Sequence, residues 1–319
     1  MRSRVAVLDD WHRAARGSAD WSALEARAEV VFFEEPFAGE DEAAAALEGF
    51  DILLAMRERT PFPASLVARL PRLKMFGLTG KRAGAIDFAA LAERGVTVCW
   101  TGGGENGAAT AELALALMLA AARQIPAADA ATRAGRYQIG TSAGIELSGR
   151  TLGLVGLGRT GALMAGYGRA LGMNVIAWSP NLTPERAAAA GAAAVDKSEV
   201  FARADAVSLH LVLSDRTRGV IGADELSRMK PGAILVNTSR APLIDEPALL
   251  EALRQGRIRA ALDVHWREPL RAGDPLLAAP NTVLTPHIGY GSAEIYREFF
   301  RQGVENAIAF LDGQPIRVL

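Results

Sequence analysis

Three residues of complementary chemistry stand at equivalent places along the last third of the chain. Arg240 follows "GAILVNTS", Glu268 follows "IRAALDVHWR" and His287 follows "NTVLTP". Each lies just past an apolar run that reads as a strand. In an open parallel sheet, ligands bind beyond the carboxyl ends of the strands, so all three stand where a site forms. Arginine can hold a carboxylate through two parallel hydrogen bonds, and histidine exchanges a proton near neutral pH. A carboxylate can orient that histidine and stabilise its cation. Taken singly, each residue has an ordinary alternative. His287 alone fits a satisfied loop histidine, Glu268 a solvated turn acid before Pro269, and Arg240 a partner for a helix C-terminus. Their joint placement is what argues for chemistry.

The second pattern is "LVGLGRTGALMAG" (154–166), in which Gly156, Gly158 and Gly161 give G-x-G-x-x-G after a strand and at the opening of a helix. The first glycine permits a tight turn and the second lets the backbone approach a pyrophosphate. The third allows close packing of helix on strand, and the helix N-terminus supplies a positive field. A purely structural turn is the alternative, and the full strand–turn–helix–strand context favours a dinucleotide. Arg159, inside the loop, either contacts a phosphate or is solvated. With a nicotinamide nucleotide here, the three strand-end residues suit reduction of a 2-keto acid. Hydride goes to C2, His287 protonates the oxygen and Arg240 anchors the substrate. The strand after such a loop ordinarily ends in an acid that accepts both ribose hydroxyls of NAD and repels the phosphate of NADP. Here "NVIAW" stops at Ser179, which does neither strongly. Its hydroxyl, Asn181 and the amides after Thr183 can approach a 2′-phosphate, and Arg186 either adds charge or stays solvated. The expectation is NAD or NADP, with dual use or a mild preference for NADP.

The elements that must position these residues fall into two series. In the opening third, "RVAVLD" (4–9), "EVVFF" (29–33), "DILLAM" (51–56), "LKMFGL" (73–78) and "VTVCW" (96–100) read as strands separated by helical segments. After "TGGGENG" (101–107) comes a helix from about Thr110 to Arg123. Six further strands follow: "TLGLVG", "NVIAW", "DAVSLHL", "GAILVNT", "IRAALDV" and "NTVLTP". Alternation of this kind predicts parallel strands with crossover helices. The closing stretch "AEIYREFFRQGVENAIAFLDG" predicts one amphipathic helix. The fold class expected is α/β, with two doubly wound parallel-sheet domains.

Composition narrows the function. The chain has 319 residues, half of them hydrophobic, and a formal net charge of −1, with no basic run of the kind that tracks nucleic acid. Cys99 is alone, so neither a disulfide framework nor a cysteine metal site is available, and no metal is expected. The N-terminus is too short in apolar residues for a signal peptide, and "LALALMLAAA" (113–122) is half of what spans a bilayer. A soluble cytoplasmic protein with no membrane partner is the expectation.

The chain resembles the D-isomer-specific 2-hydroxyacid dehydrogenases over nearly its whole length. "VGLGRTG" resembles their nucleotide loop, "NTSRAPLIDEPAL" their arginine motif, "ALDVHWREPL" their glutamate motif and "TPHIGY" their histidine motif. The resemblance implies that Arg240, Glu268 and His287 are the catalytic set, with Glu268 paired to His287. It implies a Rossmann dinucleotide-binding domain (103–286) inserted into a flavodoxin-like substrate domain (1–102, closed by 287–319). On the nucleotide side it also implicates Thr160, Thr238, Thr110, His210 and Asp263, the last as partner of the nicotinamide carboxamide. On the substrate side, "GKRAGAID" resembles a loop whose amides bind a carboxylate, bringing in Gly80 with Lys81 and Arg82. "MRERTPFP" resembles a loop where Arg57, and less clearly Arg59, could meet a distal anion. Trp11, Trp266 and Tyr290 either wall the substrate pocket or are core.

There are departures from the family pattern. Ala241 replaces a usual glycine, Val212 a usual proline, and Ser179 the acid; Pro180 stands where NADP-selective relatives place an arginine. A homodimer is the family expectation. The substrate expected is glyoxylate, hydroxypyruvate or a similar small 2-keto acid. Phosphoglycerate oxidation is one alternative, and a nucleotide-sensing interaction protein on the same scaffold is another.

Overall fold

The computed structural model describes residues 2–81, 83–104 and 106–319. Five apolar stretches become strands: β1 (Ser3–Val7), β2 (Ala28–Phe32), β3 (Ile52–Ala55), β4 (Met75–Thr79) and β5 (Thr97–Thr101). They pair in parallel in the order β2-β1-β3-β4-β5, the flavodoxin-type arrangement. β3 and β4 are buried along their whole length, as strands covered on both faces must be. Leu53 and Phe76 join a core with Phe50, Phe62 and the helices Glu40–Leu47, Ala64–Ala68 and Phe88–Glu93. Leu54 and Gly77, alternating with them, instead line a small space with Phe299, Phe300 and Gly303. Those last residues belong to the helix Ala293–Leu311, capped by the Ser292 side chain. Beyond it the chain pairs back onto β5, with Trp100 N–H donating to the Arg317 carbonyl and Leu319 N–H to that of Val98.

The second series forms a sheet of seven strands: β6 (Thr151–Val155), β7 (Asn174–Trp178), β8 (Ala193–Ala194), β9 (Ala206–Leu209), β10 (Ile234–Asn237), β11 (Arg259–Leu262) and β12 (Thr282–Leu284). The order is β12-β11-β10-β9-β6-β7-β8, all parallel. This is the Rossmann order with one strand added beyond the sixth. Six strands were expected; the one not anticipated is β8, in the third Rossmann position, where two alanines pair with Ile176 and Ala177. Alternate residues of β10 feed opposite faces: Leu235 joins one apolar cluster, Ile234 and Val236 the other. The helix expected from Thr110 begins at Ala108. It ends where Gln124 takes a left-handed conformation, and a second helix, Ile125–Arg133, leaves at 63°. Among the described residues, no single helix is long and apolar enough to cross a membrane.

The chain divides into two compact units, Met1–Glu105 with Gly291–Leu319, and Asn106–Tyr290. The second closes at Tyr290 rather than at the expected 286, which keeps His287 with Glu268. The reason is local: Asp263, at the end of β11, accepts the amides of Ile288 and Gly289, each at 2.8 Å.

Candidate active site

Strands β10, β11 and β12 are neighbours, and past their carboxyl ends stand Arg240, Glu268 and His287 in that order. His287 Nδ1 lies 2.6 Å from Glu268 Oε2, with the two side chains only 14% and 19% exposed. The other oxygen, Glu268 Oε1, accepts the His265 backbone N–H at 2.9 Å, which fixes the carboxylate plane. His287 itself sits at φ +54, a left-handed conformation that a non-glycine residue holds only where its surroundings impose it. Those surroundings are Asp263, whose Oδ1 accepts the Thr285 hydroxyl at 2.6 Å as well as the Ile288 amide. Burial pushes the Asp263 carboxyl above its ordinary range, and the three donors oppose that rise. Three acceptor positions are used on its two oxygens, which leaves one open. Thr110 joins the same knot, its hydroxyl donating to the Gly289 carbonyl at 3.0 Å. Tyr290 meets the His287 ring edge-on at 6.1 Å between centroids. Trp266, by contrast, packs against the hydrophobic core of this unit.

Arg240 is in extended conformation and its Nη1 donates to the Ser239 carbonyl at 2.7 Å. Asn237, wholly buried, holds the turn by donating to the Arg240 carbonyl at 2.9 Å. Thr238 and His210, just past β10 and β9, present buried polar atoms without a hydrogen-bond partner: the Thr238 hydroxyl and both His210 ring nitrogens. Desolvation holds the His210 imidazole down to about 4, so it is neutral. Buried polar atoms of this kind ordinarily find partners, and three converging at strand ends mark a place where a polar ligand fits.

The glycine loop meets the same test. Gly156 has φ +101, and a Cβ there would lie 2.6 Å from the His210 carbonyl oxygen. A Cβ on Gly161 would lie 2.3 Å from the Gly156 carbonyl oxygen. Gly158 differs: nothing lies within 4 Å of where its Cβ would be. The first and third glycines are thus demanded by the fold, whereas the second faces open space where a pyrophosphate can approach the backbone. Thr160, in the first turn of the helix that follows, has its Oγ1 2.7 Å from where a Cβ on Gly107 would be. Arg159, exposed, begins the helix Arg159–Ala170. Beside the loop is a cavity of about 420 Å³ whose lining includes Gly158, Ser179, Asn181, Arg186, His210 and Arg216. Arg186 is not simply solvated there, since its Nη1 donates to the Asn181 carbonyl at 3.0 Å. Thr183 caps the helix Pro184–Ala189 by accepting the Arg186 amide, which removes one of the amides expected to reach a phosphate. Arg216 was not anticipated. It arrives from the loop after β9, and no local pattern marks it.

In the first unit, Arg57 N–H donates to the Thr79 hydroxyl at 3.0 Å, and Arg57 Nη1 lies 2.7 Å from where a Cβ on Gly80 would be. Gly80 has φ +82, so both its conformation and this approach require glycine. Arg59 stacks over Trp11 at 5.2 Å and Lys81 over Trp100 at 3.9 Å. Trp11 is therefore a cation platform. Arg82 lies outside the described residues.

Comparison with known proteins agrees with this fold. The profile of the D-isomer specific 2-hydroxyacid dehydrogenase NAD binding domain matches residues 115–289. D-3-phosphoglycerate dehydrogenase of Archaeoglobus fulgidus is 38% identical over 265 residues, 83% of this chain and 50% of that protein. Glyoxylate reductase of Aeropyrum pernix is 38% identical over 257 residues, 78% of this chain and 76% of that protein. The crystal structure of a phosphoglycerate oxidoreductase from Vibrio cholerae O395 superposes with a TM-score of 0.92 at 37% identity, covering 98% of this chain and all of that one. The chain spans about half the length of the curated phosphoglycerate dehydrogenases it matches. It belongs to the D-isomer-specific 2-hydroxyacid dehydrogenase family. The residues that match the NAD binding domain, 115–289, all lie in the unit Asn106–Tyr290.

Proposed function

We propose that the chain is an oxidoreductase that interconverts a small D-2-hydroxy acid and its 2-keto acid, using NAD or NADP. The observation that carries this is the 2.6 Å pair between His287 Nδ1 and Glu268 Oε2, at the carboxyl ends of strands β11 and β12. A bound nicotinamide would accept hydride from, or give it to, C2. His287 Nε2 holds the proton that the C2 oxygen gains or loses, and Glu268 orients the ring and stabilises its cation. Arg240 binds the acid through its guanidinium. Gly156, Gly158, Arg159, Thr160 and Gly161 would hold the pyrophosphate, and Asp263, Thr110, His210 and Thr238 the nicotinamide side.

Ser179 in place of an acid supports acceptance of both nucleotides, with a mild preference for NADP. Arg216 and Arg186 on the same cavity support it further. Glyoxylate and hydroxypyruvate are the favoured substrates. Arg57 and Arg59, which share one turn, favour a second reading in which the acid carries another anion, as in phosphoglycerate. Exposed Leu119, Ile125, Tyr137 and Ile139, clustered in sequence on and after the helix Ala108–Arg123, support a homodimer. The test is a cross-titration of NADH and NADPH against glyoxylate, hydroxypyruvate and phosphohydroxypyruvate. Turnover of at least one acid is expected, with the two nucleotides within about tenfold. Tight nucleotide binding without turnover of any acid refutes the enzyme in favour of a nucleotide-sensing protein.

A further inference from the structure

Between Asp263 and Glu268, on the loop that leaves β11, stands a second histidine, His265. It is 8% exposed, and its Nε2 lies 2.9 Å from the Thr285 carbonyl oxygen. A carbonyl can only accept, so Nε2 carries the proton and Nδ1 is left with a lone pair. That Nδ1 is buried and has no hydrogen-bond partner. An apolar ring would fill the same space without desolvating a nitrogen. What the imidazole adds is one directed bond to Thr285. The N–H of Thr285 donates to the Leu262 carbonyl at 2.9 Å, its hydroxyl donates to Asp263 Oδ1 at 2.6 Å, and its carbonyl accepts from His265. All three polar groups are thus tied to one stretch of chain, residues 262–265. The same carbonyl also accepts the His287 N–H at 3.0 Å, closing a three-residue turn around Pro286. Meanwhile the His265 backbone N–H donates to Glu268 Oε1 at 2.9 Å. One residue therefore holds the carboxylate by its main chain and the loop of its partner histidine by its ring. Every one of these groups lies within the unit Asn106–Tyr290.

We propose that His265 is a positioning residue whose ring, protonated at Nε2, holds the turn Thr285–His287 against the β11 loop and so keeps His287 Nδ1 at 2.6 Å from Glu268 Oε2. The inference rests on the reading that this pair moves the proton of a 2-keto acid. Two anchors divide the work. Asp263 fixes the Thr285 side chain and the amides of Ile288 and Gly289, which follow His287. The peptide plane between Thr285 and Pro286, which precedes His287, is left to His265. His287 itself sits at φ +54, a conformation that a non-glycine residue leaves when its surroundings release it. Without the second anchor the turn can pivot, and a proton carrier displaced by a fraction of an ångström loses its alignment.

Two substitutions separate the bond from the bulk. His265→Phe keeps a buried ring and the backbone amide but has no donor. His265→Gln places an amide NH₂ near the position of Nε2 and restores one. Kinetics would use whichever of glyoxylate, hydroxypyruvate or phosphohydroxypyruvate is turned over. His265→Phe should lose about tenfold in kcat, near the most that one neutral hydrogen bond carries, with KM for the acid within about twofold. His265→Gln should recover most of that loss. Wild-type kcat in His265→Phe, or equal losses in the two variants, overturns the proposal. Nuclear magnetic resonance of the free protein needs no turnover. Proton–nitrogen correlation of the wild type, which depends on no variant folding, should show the His265 ring protonated at Nε2 alone. A proton on Nδ1 instead overturns the bond to Thr285. The Nδ1–H signal of His287, identified by its loss in His287→Ala, should stand at low field in the wild type and in His265→Gln. It should move upfield in His265→Phe, and a signal that stays in place overturns the positioning role even in an active enzyme. Signals that behave as expected in a chain that reduces no 2-keto acid sink the substrate reading and leave the positioning role standing.

Discussion

Replacing Glu268 by glutamine tests the acid/base pair with almost no change of shape. A carboxylate is acceptor-only at both oxygens, and both are used here: Oε1 by the His265 backbone N–H at 2.9 Å and Oε2 by His287 Nδ1 at 2.6 Å. Glutamine offers one oxygen and one NH₂, so one of those two partners must face a donor. If the amide oxygen stays with His287, the NH₂ opposes the His265 N–H. If it turns, the NH₂ faces Nδ1 and forces that nitrogen to act as an acceptor. In either case the charge that favours the imidazolium is gone. Loss of a charge-assisted hydrogen bond is worth about 1.5–3 kcal/mol, which converts to about 10- to 150-fold in kcat/KM at 1.4 kcal/mol per decade. His287→Ala removes the proton carrier itself and should lose about 10²–10⁴-fold. Neither residue lines the cavity around Ser179, so nucleotide affinity should stay within about twofold in both variants. Stopped-assay kinetics on the turned-over acid, alongside nucleotide titration by fluorescence, would measure the two quantities separately. A Glu268→Gln enzyme within threefold of wild type, or losses shared equally between turnover and nucleotide binding, would refute the assignment.

Four further predictions concern stability, pH and nucleotide affinity. The Asp9 carboxyl is raised from 3.8 to about 6 on folding, so the folded state binds the proton more tightly. Its stabilisation is complete below about pH 4 and is lost as pH rises through about 6. Asp9→Asn should therefore be more stable than wild type at pH 8 by about 1–3 kcal/mol and should lose the advantage near pH 4. Urea denaturation at both values decides, and a variant weaker at both refutes the buried charge. His210 has the opposite sign, its imidazole falling from 6.5 to about 4 on folding. Its contribution is present above about pH 6.5 and lost as pH drops through about 4, so the wild type should weaken across that window more than His210→Gln does. Gly161→Ala should destabilise by about 1–3 kcal/mol, because its Cβ would meet backbone at 2.3 Å. Gly158→Ala should melt within about 1 °C of wild type and lose only nucleotide affinity.

What could be read from the sequence was whatever depends on local pattern. The apolar runs at the ends of β10, β11 and β12 give way at Asn237, Asp263 and Thr285 to polar residues, and such a change announces a strand's terminus. The glycine loop is equally local, its spacing lying within six residues of strand and helix. What escaped is what distance in sequence hides. β8 is two alanines with no period to detect, and it exists because β7 offers it an edge. Arg216 reaches the nucleotide cavity from a polar loop whose path only tertiary structure fixes. The Asp9–Thr60 contact joins residues 51 apart, and "LDDW" gives no hint which aspartate turns inward. Asp263 was expected to face the cofactor, but in the fold it first holds the loop bearing His287, because Thr285, Ile288 and Gly289 arrive there only once β12 is in place.

The helix Ala293–Leu311 has a consequence for how the chain is made. Its Ile295, Phe299 and Phe300 are buried in the unit whose strands β1 to β5 leave the ribosome first, while residues 106–290 come between. At about 5–20 residues per second, synthesis of that intervening stretch takes about 10–40 s. During that interval Leu54 and Gly77 have no partner helix, whereas the contiguous second unit has all it needs to fold. The order of folding should thus run against the order of synthesis, with the unit begun first finished last. A chain ended at residue 290 and released from the ribosome should yield a protease-resistant second unit and a cleavable first one. The chain carried through residue 319 should be protected in both.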